Sequence, residues 1–409
     1  MTSNSWPSAT VYVAAVQDPE RCVIAEELKG AEFRSNMMGI PVVKSGQTAA
    51  VFPMTLNGQP QALRLFTTPT QHAERYRQLS SHLERQPSEL FVGAKWIEEA
   101  IAYGQGRFPA VLMPWVPGKT LSSALDDATE DRDVERIGAL AEGWLNACDQ
   151  LAVSGVVHGD IQHGNVMVDE DGTFALIDYD GVWVEGLPVS MLEVGHPNYQ
   201  HPARLESDEV SLTADVFPAF VTYVSLKALA AEPKLWDEFH SGENLIFSSE
   251  DFVGVDRAER TIWSRLRDVD DEVATLATTL IAACRVKPDS IDSVRALVEE
   301  GVGALEGAEK YIVDRSGRAT GGSWWADDDG EPSTPQPSPV ASGPASIPGP
   351  RPQQATRRQP IQRPVSVPEV QPPSAVRSSD PKLRALAIVS FLVGLIVMGV
   401  AIFLLVSGG

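Results

Sequence analysis

Three side chains within residues 156–183, Asp160, Asn165 and Asp178, have the types and spacing for chemistry on a phosphate. The segment reads V-V-H-G-D-I-Q-H-G-N-V-M-V-D-E-D-G-T-F-A-L-I-D-Y-D-G-V-W. Carboxylate and amide oxygens are the hard ligands that Mg²⁺ prefers. A phosphoryl-transfer site needs an acid to orient the attacking hydroxyl, and an Asn and a second acid to hold the metal that bridges the phosphates. Asp160 suits the first role; Asn165 and Asp178 suit the second.

These groups must be brought together by local folding. Val156-Val157, Val166-Met167-Val168 and Phe174-Ala175-Leu176-Ile177 are short apolar runs of strand character, and Asp171-Gly172 supplies the turn between the last two. The result is a tight hairpin with acids at its ends. A surface hairpin whose Asp and Gly residues only make turns is the plain alternative. Against it, H-x-D-x-x-x-x-N, the hairpin and D-Y-D-G all occur in one order.

That order resembles the active-site hairpin of the protein kinases, and the resemblance runs over roughly residues 41–290. It implies a fold of class α+β, a two-lobed protein kinase-like domain with a small lobe over 41–113 and a large lobe over 114–305. In the small lobe, strand signals surround an Asn57-Gly58 turn, the strongest short hairpin signal. By the resemblance, Gly46 and Val51 match part of a glycine-rich loop, and Arg64 stands where a phosphate-pairing lysine belongs. Arg64 would meet ATP phosphates or a helix carboxylate, Glu74 or Glu84, or else serve as a structural strand arginine. Thr68-Pro69 reads as a helix start. Met113 falls at the gatekeeper position, and Val116 in the following hinge keeps the N–H that a purine acceptor needs.

In the large lobe, Val134, Ile137, Leu140, Ala141, Trp144, Leu145, Cys148 and Leu151 recur at helical steps, read as one buried helix face, and Gly155 follows. The stretch G-H-P-N-Y-Q-H-P from Gly195 resembles the end of a kinase activation segment, and Asp215 the aspartate that caps the catalytic-loop backbone. His196 and His201 lack a matching cysteine or acid spacing for metal and read as hydrogen-bonded fold residues. The pattern departs from the family at Gly159, where an arginine is usual, at Gln162, where a lysine steadies the γ-phosphate, and at Asp180, where a glycine is usual. H-G-D also resembles the small-molecule phosphotransferases of the same fold.

The rest of the chain sets the context. A formal charge of −22 and pI near 4.7 argue against nucleic-acid binding, which needs a basic face. Cys22, Cys148 and Cys284 are far apart and fit a reducing cytosol without disulfides or zinc. Residues 1–40 form an N-terminal extension with mixed signals and no signal-peptide pattern. Residues 306–383 are a Pro- and Ser-rich linker too polar to fold, expected to be disordered. Residues 384–406 are expected to form one transmembrane helix: the uncharged run 385–406 reaches roughly 33 Å at about 1.5 Å per residue, enough for a bilayer core. Arg377, Lys382 and Arg384 precede it, so the domain is expected on the cytoplasmic side of the cell membrane and the C-terminus outside.

The sequence therefore points to a membrane-anchored kinase-like protein that transfers the γ-phosphate of ATP, with Mg²⁺ or Mn²⁺, to Ser or Thr of a protein. A pseudokinase that docks partners, with or without nucleotide, is the alternative that Arg64 and Gln162 motivate. A small-molecule phosphotransferase is the third reading.

Overall fold

The computed structural model describes residues 6–305, except 47, 71, 189–193, 206–212, 254 and 256–260. The chain divides into two units, 1–334 and 335–409, and every described residue lies in the first. The expected linker and transmembrane run lie outside the described residues. Among the described residues, no helix is long and apolar enough to cross a membrane.

The chain begins with helices α1 (Ala9–Gln17) and α2 (Pro19–Cys22), followed by strands β1 (Glu32–Phe33), β2 (Lys44–Ser45), β3 (Ala49–Leu56) and β4 (Gln59–Phe66). Asn57 and Gly58 both take positive φ, 52° and 75°, which matches the hand of the turn to the twist of β3 and β4. Helix α3 (Ala73–Arg85) and strands β5 (Lys95–Tyr103) and β6 (Gly106–Pro114) complete the first lobe. Its antiparallel sheet runs β1-β3-β4-β6-β5, with β2 added on β3. The sheet recruits Glu32 and Phe33 from the stretch expected to be an extension. Helix α3 starts at Ala73 rather than at Pro69, because Thr70 Oγ1 accepts the His72 N–H and holds a turn ahead of it.

The N-terminal residues earn their place by covering the outer face of this sheet. Strand alternation sends Phe52, Met54, Leu63 and Leu65 to that face, where they pack with Tyr12, Val16 and Leu28. The Tyr12 hydroxyl donates to Phe66 O at 2.8 Å, so this buried phenol is satisfied.

The second lobe is mainly helical. Strand β7 (Lys119–Thr120) leads into α4 (Leu121–Glu130) and α5 (Val134–Val153), and then come β8 (Val156–Val157), β9 (Val166–Val168), β10 (Phe174–Leu176) and β11 (Trp183–Val184). Beyond them lie α6 (Val216–Ala231), α7 (Lys234–Phe239), α8 (Ser249–Val253), α9 (Thr261–Arg267), α10 (Asp271–Ala283) and α11 (Val294–Glu300). The apolar stripe foreseen on α5 is buried except at Val134, which opens the helix and is exposed, and Trp144 Nε1 donates to Ala219 O at 2.9 Å, tying α5 to α6. Helix α6 is buried on nearly every face and forms the centre of the lobe. The expected hairpin is present as β9 and β10, in register Phe174 to Val168. This mixed α+β arrangement, an antiparallel sheet followed by a helical lobe, is compatible with a kinase-like fold.

Candidate active site

Between the sheet and the β9–β10 hairpin lies a cleft of about 760 Å³. Its walls include Gly46, Val51, Arg64, Met113, Val116, Asp160, Gln162 and Asp178, so one cavity collects most of the side chains singled out from the sequence. Val51, Ala62, Met113, Met167 and Ile177 give one part of it an apolar lining. Asp160, Asp178 and Asp180 give another part an excess of negative charge over the two cations of the lining, Arg64 and Lys44.

The loop that carries Asp160 is held from below. Asp215, buried at the start of α6, accepts the His158 N–H at 2.5 Å and the Gly159 N–H at 2.9 Å, the capping role expected of it. The His158 ring lies against Phe91 and Tyr179, and its Nε2 is 3.0 Å from Ile177 O. Gly159 has φ +84°, and a Cβ there would come within 2.5 Å of Gly181 O. The missing arginine thus has a packing cause: two backbone segments cross where a side chain would stand.

Asp160 receives three hydrogen bonds. Gln162 Nε2 donates at 2.7 Å and Asn165 Nδ2 at 2.9 Å to one oxygen, and the His196 N–H donates at 2.7 Å to the other. A carboxylate offers about four lone-pair sites, so one remains for a further donor. In this arrangement Gln162 orients Asp160 instead of reaching across the cleft.

Arg64 is nearly buried on β4, and its partners correct the expectation of a helix carboxylate. Nη1 donates to Asp178 at 2.6 Å and Nη2 to Asp180 at 2.5 Å. Glu74 instead accepts from Gln78 at 2.8 Å, and Glu84 lies 3.5 Å from Ser80 Oγ, both on the exposed side of α3. The inner side of α3 presents Tyr76, whose hydroxyl donates to Asp180 at 3.1 Å. Burial raises the Tyr76 phenol well above its usual range, so it stays neutral and acts as a donor. Burial would raise the Asp178 carboxyl too, but the adjacent guanidinium outweighs it and holds Asp178 below its usual range. Asp178 also takes φ +67°, a left-handed conformation that Asp tolerates better than most residues.

Behind this group, Tyr179 is locked in place. Its hydroxyl accepts the Val92 N–H at 2.9 Å and donates to Leu176 O at 2.8 Å. Near the rim, Gly46 lies in the β2–β3 turn, where its N–H donates to Ala49 O at 2.8 Å and is spent closing that turn. Met113 pairs with Ala62 across β6 and β4. The Trp115 N–H donates to Pro60 O at 3.1 Å, while the Val116 N–H has no acceptor among the described residues. Of the two histidines weighed for metal, His201 is buried with Nε2 on Ala283 O at 2.9 Å and Nδ1 accepting the Ala203 N–H at 3.1 Å. His196 Nε2 meets Glu243 at 3.3 Å.

The roles of Asp180 and Tyr76 escaped the sequence reading. One signal was present: two acids flank Tyr179, and the partner of a strand arginine was open between phosphate and a helix carboxylate.

A cleft with an apolar wall, a hinge N–H without acceptor and clustered carboxylates around a cation has the chemistry of a kinase-like phosphotransfer site. The comparisons agree at that level. Residues 124–182, which carry Asp160, Asn165 and Asp178, match the family model described as a phosphotransferase enzyme family (APH). The chain is also similar to a probable serine/threonine-protein kinase PknB of Bifidobacterium longum (strain NCC 2705), 29% identical over 133 residues. That match takes in 30% of this chain, and it spans only 19% of the curated relative's length. The similarity supports kinase-like phosphotransfer.

Proposed function

We propose that this chain is a protein kinase-like enzyme that transfers the γ-phosphate of ATP to a Ser or Thr hydroxyl of a protein. The observation that carries this reading is the state of Asp160: three donors orient it, one acceptor site is left, and it faces the cleft. A substrate hydroxyl that donates to the free site would be aimed for attack.

The donor set fits Mg-ATP. Asn165, beside Asp160, and Asp178 would hold the divalent ion, and three carboxylates against the two cations Arg64 and Lys44 leave the negative excess such an ion neutralises. When bound, the ion would offset charge on the transferring phosphate. The Val116 N–H would meet the purine, with Val51, Ala62 and Met167 against its faces. Residues 384–406 would anchor the protein in the cell membrane with the kinase-like domain cytoplasmic, supported by the uncharged run 385–406 and the basic residues Arg377, Lys382 and Arg384 ahead of it. A protein substrate or docking partner at that membrane is the expected macromolecular contact.

One observation favours a second reading, a pseudokinase: Asp178, the expected metal ligand, already receives Arg64. The deciding experiment is transfer of labelled γ-phosphate from ATP with Mg²⁺ or Mn²⁺, to the protein itself and to a generic protein acceptor, beside Asp160→Asn. Label lost in the variant supports the enzyme. Folded protein that labels nothing supports the pseudokinase, and turnover only with a choline-like or amino-sugar acceptor supports a small-molecule phosphotransferase.

A further inference from the structure

Arg64 holds two carboxylates of one short loop at once, and the two are not equivalent. The Asp178 side chain is 45% exposed and faces the cleft, whereas Asp180 is 18% exposed. Among the described residues, Arg64 is the one side chain that donates to Asp178, while Asp180 also receives the Tyr76 hydroxyl. Asp180 sits in the tight turn Tyr179–Gly181, which Tyr179 locks through its hydroxyl. Helix α3 contributes no carboxylate to this cluster, since Glu74 and Glu84 are engaged on its exposed side.

We propose that Asp180 is the fixed anchor of Arg64, and that Arg64 leaves Asp178, while keeping Asp180, when a nucleotide phosphate and a divalent cation enter the cleft. This inference rests on the phosphotransfer reading. Nη1 holds one Asp178 oxygen and leaves the other open, but a guanidinium bonded to the carboxylate repels an incoming cation and takes up the charge that would hold it. A guanidinium has two Nη arms, so Nη1 can turn to phosphate oxygens while Nη2 stays bonded to Asp180. In this pose the buried Nε–H of Arg64 has no acceptor among the described residues, so the fork is not using all its donors. Asp180 is therefore a positioning residue that does for this strand cation what a helix carboxylate would otherwise do. Tyr76 links the helix to the site through a hydrogen bond from its neutral hydroxyl to the Asp180 carboxylate.

The test measures Mg-ATP binding to the full chain by titration calorimetry at several Mg²⁺ concentrations, for wild type, Asp180→Asn, Asp180→Glu, Tyr76→Phe, Glu74→Gln and Glu84→Gln. Asp180→Asn is expected to raise the Mg²⁺ needed for half-saturation about ten-fold, because Arg64 then has only Asp178 to hold. Asp180→Glu should recover part of that loss, Tyr76→Phe should weaken binding roughly two- to five-fold, and both Glu variants should stay within about two-fold. Alongside, thermal unfolding without nucleotide of Arg64→Met, Asp180→Asn and the double variant measures their coupling. Strong coupling there reports the ion pair whether or not nucleotide binds.

A ten-fold loss in Glu74→Gln or Glu84→Gln with Asp180→Asn unchanged would overturn the proposal. So would the same Mg²⁺ requirement in Asp180→Asn as in wild type, or additive unfolding shifts. Wild-type protein that shows the coupling but binds no Mg-ATP would instead refute the phosphotransfer reading, and with it the movement of Arg64. If Asp180→Asn does not fold, Asp180→Glu and Tyr76→Phe carry the same comparison.

Discussion

Placing a side chain at position 159 should break the site from beneath, although kinases carry arginine there. Gly159 has φ +84°, and for Gly159→Ala a Cβ would stand 2.5 Å from Gly181 O and 3.2 Å from Gly181 C. Left-handed backbone costs an L-residue about 1–2 kcal/mol. A backbone oxygen at that distance must move, and overpacking of this kind costs about 1–3 kcal/mol. The sum, roughly 2–5 kcal/mol, is a large part of a stability of about 5–15 kcal/mol. Urea unfolding of the full chain, followed by tryptophan fluorescence, measures it. Gly138→Ala is the control, since nothing lies within 4 Å of its Cβ position and alanine should leave the helix equal or stabler by up to about 1 kcal/mol. Gly159→Ala within about 0.5 kcal/mol of wild type would show that the crossing of residues 159 and 181 is looser than described and would refute the packing explanation for the missing arginine.

Three further outcomes are expected. Tyr179→Phe removes the hydroxyl that joins Val92 to Leu176; losing the partner of the buried Leu176 carbonyl and of the part-buried Val92 N–H should cost about 1–3 kcal/mol in urea unfolding, and an unchanged midpoint would contradict the lock. Asp215→Asn presents an NH₂ to one of the two N–H groups now accepted by carboxylate oxygens, so stability should fall by about 2–3 kcal/mol and amide exchange at His158 and Gly159 should quicken; unchanged exchange would argue against the cap. Burial lowers the pKa of His201 from 6.5 to about 4. The unfolded chain then gains a proton before the folded one, so this contribution is complete above pH 6.5 and is lost as pH falls towards about 4. The loss is about 3 kcal/mol at 1.36 kcal/mol per pKa unit, and His201→Gln should flatten that part of the pH–stability curve.

Much of the site was legible because its determinants are local. Asn57-Gly58 carries its own turn geometry, the α5 stripe its own period, and residues 156–183 place Asp160, Asn165 and Asp178 around one hairpin within a single stretch of chain. Asp215 could be assigned because the resemblance to the kinases places an aspartate at the head of this apolar helix to hold the catalytic-loop backbone. The start of α3 was misread because Thr68-Pro69 is a good local helix signal, and a turn built on Thr70 supersedes it.

The sequence by itself determined the inventory: which acids, amide and cation exist, in what order, and which lie within one hairpin's reach. Only the tertiary structure decided who pairs with whom. Arg64 was open between phosphate and the helix carboxylates Glu74 and Glu84, and its pairing with Asp178 and Asp180 rests on which side α3 turns inward, where Tyr76 and not a glutamate meets the cluster. Gly159 likewise looked like a lost arginine until the backbone of Gly181 was seen to occupy its place. The physical reason is the same in both cases. Hairpins, turns and helical stripes follow from interactions between near neighbours, whereas a buried ion pair or a backbone crossing joins residues far apart in the chain, set by the packing of whole elements.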